Sequence, residues 1–254
     1  MDVKKRANII TEWINNYCDS ASYKPKSLVV GISGGIDSSV VSTLCANTGR
    51  KTIVLTMPIK QIKSQHDLSL SHAKWLKEKY SNVEHHLIEM DKIFNSFSDV
   101  LNKFDNEHGY ANSRARLRMA TLYQVAAANS GIVVGTGNKV EDFGVGFYTK
   151  YGDGGVDISP IADCSKSQVW ELGRHLGISD DIINTPPTDG LWNDGRNDVE
   201  QLGMTYEDLE KAMKDKKDPN YKKYLEIREK NLHKMKPIPA VSYTHLTLPT
   251  TSMV

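Results

Sequence analysis

The string Ser33-Gly34-Gly35-Ile36-Asp37-Ser38-Ser39, set between an apolar β-branched run and a helical pattern, constrains this chain more than any other feature. Leu28 to Ser33 predicts a short buried strand, and Asp37 to Cys45 predicts a helix. Glycines between strand and helix let the backbone turn tightly and approach a phosphate with no Cβ in the way. The amides of the turn and of the helix start then point, unpaired, at an anion. The hydroxyls of Ser33, Ser38 and Ser39 add donors. Asp37 alone would repel a phosphate, and makes sense beside one if it carries Mg²⁺. No Gly-Lys-Ser/Thr follows, so the loop is not a Walker A motif, and it is not the dinucleotide GxGxxG either.

The same alternation continues. Thr52 to Met57, Glu84 to Met90 and Gly131 to Thr136 predict further strands. Residues 4 to 18, His66 to Tyr80, Asn112 to Asn129 and Ser165 to Leu176 predict helices, with charged helix up to about residue 234. The pattern predicts an α/β fold: a mostly parallel, doubly wound, Rossmann-like sheet with helices on both faces. Residues 137 to 160, rich in Gly and Asp, read as a functional loop, and 184 to 203 as a second polar loop. Residues 1–240 are expected to form a single domain. The Thr-rich stretch 241–254 has no partner in this scheme and reads as a non-native or disordered tail.

Composition narrows the partners. A formal net charge of +1 offers no general attraction to nucleic acid or membrane, so an anionic ligand must be held by local charge. The charged N-terminus and the lack of a long apolar run predict neither a signal core nor a membrane span. Three scattered cysteines without metal spacing suit a cytoplasmic location.

The phosphate loop resembles that of the N-type ATP pyrophosphatases, which split ATP between its α and β phosphates and adenylate a substrate. Gly135 to Asp142, followed by Gly146-Phe147-Tyr148-Thr149-Lys150-Tyr151-Gly152-Asp153-Gly154-Gly155-Val156-Asp157, is similar to the signature of the NAD synthetase family within that group. The resemblance spans roughly residues 25 to 240. It implies ATP binding by Gly31, Ile32, Ser33, Gly34, Gly35, Ile36, Asp37, Ser38, Thr136, Lys166 and Thr188. It implies Mg²⁺ on Asp37 and Glu141, and deamido-NAD⁺ on Arg116, Lys150, Asp157, His233 and Lys234. Asp153, near the ammonia, and Lys166, at the phosphates, are the implied catalytic groups. This sequence has one residue more than the family pattern between Glu141 and Gly146, which leaves Asp142 as a competing metal ligand.

The implied reaction is amidation of deamido-NAD⁺ with ammonia and ATP to give NAD⁺, AMP and pyrophosphate, in a homodimer. The length leaves no room for a glutaminase domain, though a separate glutaminase subunit stays open. A tRNA thiolase of the same superfamily would need reactive cysteine pairs or a basic RNA surface, and neither is visible. A binding module without turnover is the other rival. The joint presence of Asp37, Glu141, Lys150, Asp153, Asp157 and Lys166 argues against it.

Overall fold

A computed structural model describes residues 1–188 and 198–241. The β-branched runs pair as strands β1 (Ser27–Gly31), β2 (Lys51–Thr56), β3 (Val83–Leu87) and β4 (Gly131–Val133). They form one parallel sheet in the order β3-β2-β1-β4. Register places Val29 between Ile53 and Val133, so residues of one parity share a face.

Both faces are covered, as the apolar runs without polar alternation required. Leu28, Val30, Val54 and Ile132 face α1 (Val3–Ser20), α2 (Ile36–Asn47) and α3 (Lys63–Lys79). Val29, Ile53, Leu55 and Val133 face α4 (Asp91–Val100) and α5 (Glu107–Ala128), through Phe94, Met119 and Leu122. Helix α6 (Lys166–Leu176) returns to the first face, and α7 (Asp180–Ile183) follows it. The chain runs outward from β1 to β2 and β3, then crosses back to place β4 on the other side of β1. Strand order therefore reverses between β1 and β4, and a crevice opens beyond their carboxyl ends. The glycine loop leaves β1 there, and the 134–137 segment leaves β4 beside it.

Differences from the sequence expectations concentrate at this crevice. β1 ends at Gly31 rather than Ser33, and β4 ends at Val133 rather than Thr136. Val134 keeps one isolated bridge to Ile158, and the backbone beyond is free to build loops. The expected loop at 137–160 opens with a π-helix, Lys139–Val145, closed by Gly146 at φ 68°. A π-turn holds one residue more than an α-turn. Helix α4 was not anticipated: only Phe94 of its apolar residues is buried. His72 is buried, with Nε2 3.0 Å from the Ser42 hydroxyl.

A separate apolar cluster joins the π-helix to α8 (Asp198–Leu202), α9 (Tyr206–Lys214) and α10 (Tyr221–Met235), through Val140, Val145, Leu209 and Tyr224. Residues 189–197, which include Trp192 of the second polar loop, and 242–254 of the expected tail lie outside the described residues. No helix among the described residues is long and apolar enough to cross a membrane.

Candidate active site

The glycine loop forms one wall of a cavity of about 250 Å³ at the crevice. Gly34 sits at φ 92°, and a Cβ there would lie 2.5 Å from the Gln65 carbonyl oxygen. Only glycine fits both the left-handed backbone and that close approach. Gly35 is the N-cap of α2, so the helix start opens onto the cavity. The serines shape the loop: the Ser38 and Ser39 hydroxyls donate to the Gly35 carbonyl at 3.0 and 2.9 Å, and the Ser33 amide donates to Ser38 Oγ at 3.2 Å.

Three elements converge above the loop. Asp37 comes from the first turn of α2, and Glu141 from the π-helix. Lys166 is the first residue of α6, held by the Ser165/Gln168 capping box. Lys166 Nζ donates to Asp37 Oδ2 at 2.6 Å and to Glu141 Oε1 at 2.8 Å, with its side chain 1% exposed. Asn138 ties two of these elements together. Its Oδ1 accepts from the Val140 and Glu141 amides, and its Nδ2 donates to Asp37 Oδ1 at 3.0 Å.

Burial raises the Asp37 carboxyl, against the pull of the Lys166 ammonium. Burial also lifts Glu141, but the Lys166 charge and the hydrogen bonds from Lys166 and Tyr206 outweigh it, and the net direction is down. Lys166 loses to desolvation and gains more from the two carboxylates, so its ammonium is held charged. Asp142 lines the same cavity, and burial, with Asp153, Glu141 and Asp37 nearby, pushes its carboxyl well up. Glu141 is the carboxylate that shares the Lys166 ammonium with Asp37.

The expected site residues, Asp157 apart, fall into two groups. Gly31, Ile32, Ser33, Gly34, Gly35, Ile36, Asp37, Ser38, Thr136, Glu141, Asp153, Lys166 and Thr188 all line the cavity. Arg116, Lys150, His233 and Lys234 gather outside it. Arg116 Nε donates to the Lys150 carbonyl at 3.2 Å, and Lys150 Nζ to the His233 carbonyl at 3.4 Å. Lys234 Nζ donates to the Tyr148 carbonyl at 2.8 Å, and it feels the charges of Asp153 and Asp142. Asp157 joins neither group: its carboxylate accepts from the Val133 amide at 2.7 Å and the Tyr123 hydroxyl at 3.1 Å.

Several contributors were not among the expected site residues. Arg118, Met57, Gln61 and Gln65 line the cavity, and Arg118 Nε donates to the Met57 carbonyl at 2.9 Å. Tyr206 and Glu210 of α9 hold Glu141 and the start of α6. Arg228 of α10 donates to the Phe143 and Gly144 carbonyls at the end of the π-helix.

Fold and site together define an α/β nucleotide-binding protein, with a glycine loop for phosphates at the strand-order reversal and a carboxylate–ammonium centre beside it. The sequence profile of NAD synthase matches residues 6–242, and the chain belongs to that family. It is 39% identical over 208 residues to the NH₃-dependent NAD⁺ synthetase of Methanosarcina acetivorans, covering 81% of this chain and 79% of that protein. It is 35% identical over 211 residues to the enzyme of the same name from Finegoldia magna, covering 83% and 84%. Among solved structures, NMN synthetase from Francisella tularensis superposes with TM-score 0.86 at 29% identity, covering 96% of this chain and 100% of that one. The NH₃-dependent NAD synthetase of Campylobacter jejuni superposes with TM-score 0.77 at 26% identity, covering 95% and 100%.

Proposed function

We propose that the chain is an ammonia-dependent ligase that amidates the nicotinate carboxylate of deamido-NAD⁺, with cleavage of ATP to AMP and pyrophosphate. The observation that carries this reading is the Asp37–Lys166–Glu141 centre on the wall of the phosphate-loop cavity. The relatives named above, each covered over about four fifths of its length, support the ammonia-dependent form.

The residues fit Mg²⁺. Asp37 and Glu141 aim oxygens from separate elements at one cation position, which Lys166 Nζ holds. Hard oxygen ligands of this kind suit a divalent ion, which would supply charge neutralisation for the phosphates. Asp37 and Glu141 would hold it, and Lys166 would then turn to the phosphates.

The loop amides and Lys166 stabilise charge on pyrophosphate as the nicotinate oxygen attacks the α-phosphorus in line. The acyl-adenylate has a good leaving group where the carboxylate had none. Ammonia then attacks the acyl carbon, AMP departs with the former carboxylate oxygen, and Asp153, on the cavity wall, takes up the proton released. Pro186, Pro187 and Thr188 line the other side, placed to shield the adenylate from water.

A mononucleotide acceptor is the second reading, favoured by the likeness to the Francisella NMN synthetase. We also infer a homodimer, in line with the exposed Ile9 and Trp13 of α1, and a cytoplasmic location, in line with the buried free cysteines. Competition between the dinucleotide and the mononucleotide of nicotinate, with ATP, Mg²⁺ and ammonium supplied, tests the acceptor. The dinucleotide is expected to be amidated with the higher kcat/KM. The reverse preference would establish the mononucleotide, and no amide from either would overturn the ligase reading.

A further inference from the structure

Tyr206 opens α9 directly after its N-cap, Thr205, and is 5% exposed. Its hydroxyl lies 2.5 Å from Glu141 Oε1 and 2.8 Å from Asp198 Oδ2. The ring stands edge-on to Trp170 at 5.9 Å, and the Lys166 ammonium sits 4.9 Å from the ring centroid. One turn later on the same helix face, Glu210 accepts from the Ser167 amide and the Ser167 hydroxyl, both at 2.8 Å. Ser167 follows Lys166 at the start of α6. A single face of α9 therefore braces both Glu141 and the helix that presents Lys166.

Tyr206 is not among the residues lining the cavity, whereas Glu141 and Lys166 are. Its hydroxyl therefore acts through Glu141. A glutamate side chain has wide rotamer freedom, and Glu141 rises from a π-turn rather than a tighter α-turn. Two side-chain donors meet Glu141 Oε1, the Lys166 ammonium and the Tyr206 hydroxyl. If Lys166 leaves for the phosphates, Tyr206 is the donor that stays on Oε1, while Asn138 also hydrogen-bonds the Glu141 side chain.

We infer that Tyr206 is a positioning residue for the reaction: its hydroxyl holds Glu141 in the rotamer that shares a cation with Asp37, and keeps it there when Lys166 moves. Asp198, the first residue of α8, competes for the same hydroxyl proton, and its amide donates to the carbonyl of Pro187 on the cavity wall at 3.0 Å. The hold on Glu141 is thereby linked to the segment that borders the cavity. This inference rests on the reading of Glu141 as a metal ligand.

The test is Mn²⁺ binding, measured by electron paramagnetic resonance on the full chain with α,β-methylene-ATP, so that no turnover intervenes. Tyr206→Phe keeps the ring against Trp170 and removes only the hydroxyl. It is expected to weaken Mn²⁺ by about 10- to 100-fold, the usual range for losing a partner behind a metal ligand. Affinity for the nucleotide analogue without metal should stay within about twofold of wild type, since Tyr206 does not reach it. In a Glu141→Gln background the same substitution should have no further effect. Tyr206→Leu, which also removes the ring, separates packing from the hydroxyl through its melting temperature. Wild-type Mn²⁺ affinity in a folded Tyr206→Phe protein overturns the inference, as does an equal loss in the Glu141→Gln background. Unchanged Mn²⁺ affinity on Glu141→Gln alone overturns the metal assignment itself, a distinct failure that removes this inference with it.

Discussion

Lys166→Met lowers kcat/KM by about 100- to 1000-fold, the usual cost of removing one preorganised donor from developing charge, and it destabilises the fold as well. The ammonium is fully buried between Asp37 and Glu141. Its removal leaves two carboxylates facing each other in low dielectric, and breaking a buried pair from one side costs about 3–5 kcal/mol. The effect depends on pH. In the wild type the net direction for Glu141 is down, so its contribution is present above its ordinary range and lost as pH falls through the lowered value. Without Lys166 both carboxyls rise, and a raised carboxyl favours the folded state only at low pH. The deficit against wild type is therefore widest at pH 8 and narrows toward about pH 4, where unfolded carboxyls also take up protons. Urea unfolding at several pH values measures it. Mg²⁺ should stabilise the variant more than the wild type, because no ammonium has to be displaced from the carboxylates. A variant as stable as wild type at pH 8, with undiminished turnover, would contradict the role of Lys166 in both charge balance and catalysis.

Asp37→Asn is expected to cost catalysis more than stability, and the two are read separately. The amide has nearly the same shape, and its oxygen can still accept from Asn138 Nδ2, as Asp37 Oδ1 does at 3.0 Å. Losing an acid from the first turn of α2 costs at most about 1 kcal/mol through the helix dipole, but the amide nitrogen then faces the buried Lys166 ammonium, and breaking that pair from one side costs up to about 3–5 kcal/mol. The second negative oxygen of the cation position disappears, however, and only Glu141 remains to pair with Lys166. Pyrophosphate release is expected to fall by at least about 100-fold, beyond the range seen for partners behind a metal ligand. A coupled pyrophosphate assay with a thermal melt reads both effects. Unchanged release would show that Asp37 does not hold the metal.

What was legible in the sequence was what depends on local backbone. The β-branched runs at 28–32 and 52–57 announced buried strands, and Gly34-Gly35 announced a turn that only glycine makes. The strand ends were less legible, because β1 and β4 stop where the cavity begins rather than where the apolar run does. The Asp37–Lys166 contact joins residues 129 apart, and the resemblance to a family, not the spacing, brought the two together at the phosphates. That resemblance put Lys166 on the phosphates and Asp37 on the metal; the direct contact between the two is what the structure adds. Tyr206 and Glu210 left no signal: in sequence, α9 is an ordinary charged helix, and the burial of those two side chains depends on a partner surface supplied by the π-helix and α6. The π-helix escaped because its wider turn departs from the 3.6-residue period by which helices are read.

Transfer of oxygen from substrate to AMP tests the central claim most directly. Deamido-NAD⁺ labelled with ¹⁸O in both nicotinate carboxylate oxygens is incubated with the protein, ATP, Mg²⁺ and ammonium, and the products are weighed by mass spectrometry. Adenylation of the carboxylate predicts NAD⁺ with a single labelled amide oxygen, AMP carrying one ¹⁸O, and unlabelled pyrophosphate. ADP in place of AMP, alongside labelled inorganic phosphate, would mean activation at the γ-phosphate instead, and would contradict the assignment of the glycine loop and the Asp37–Lys166–Glu141 centre to cleavage between the α and β phosphates.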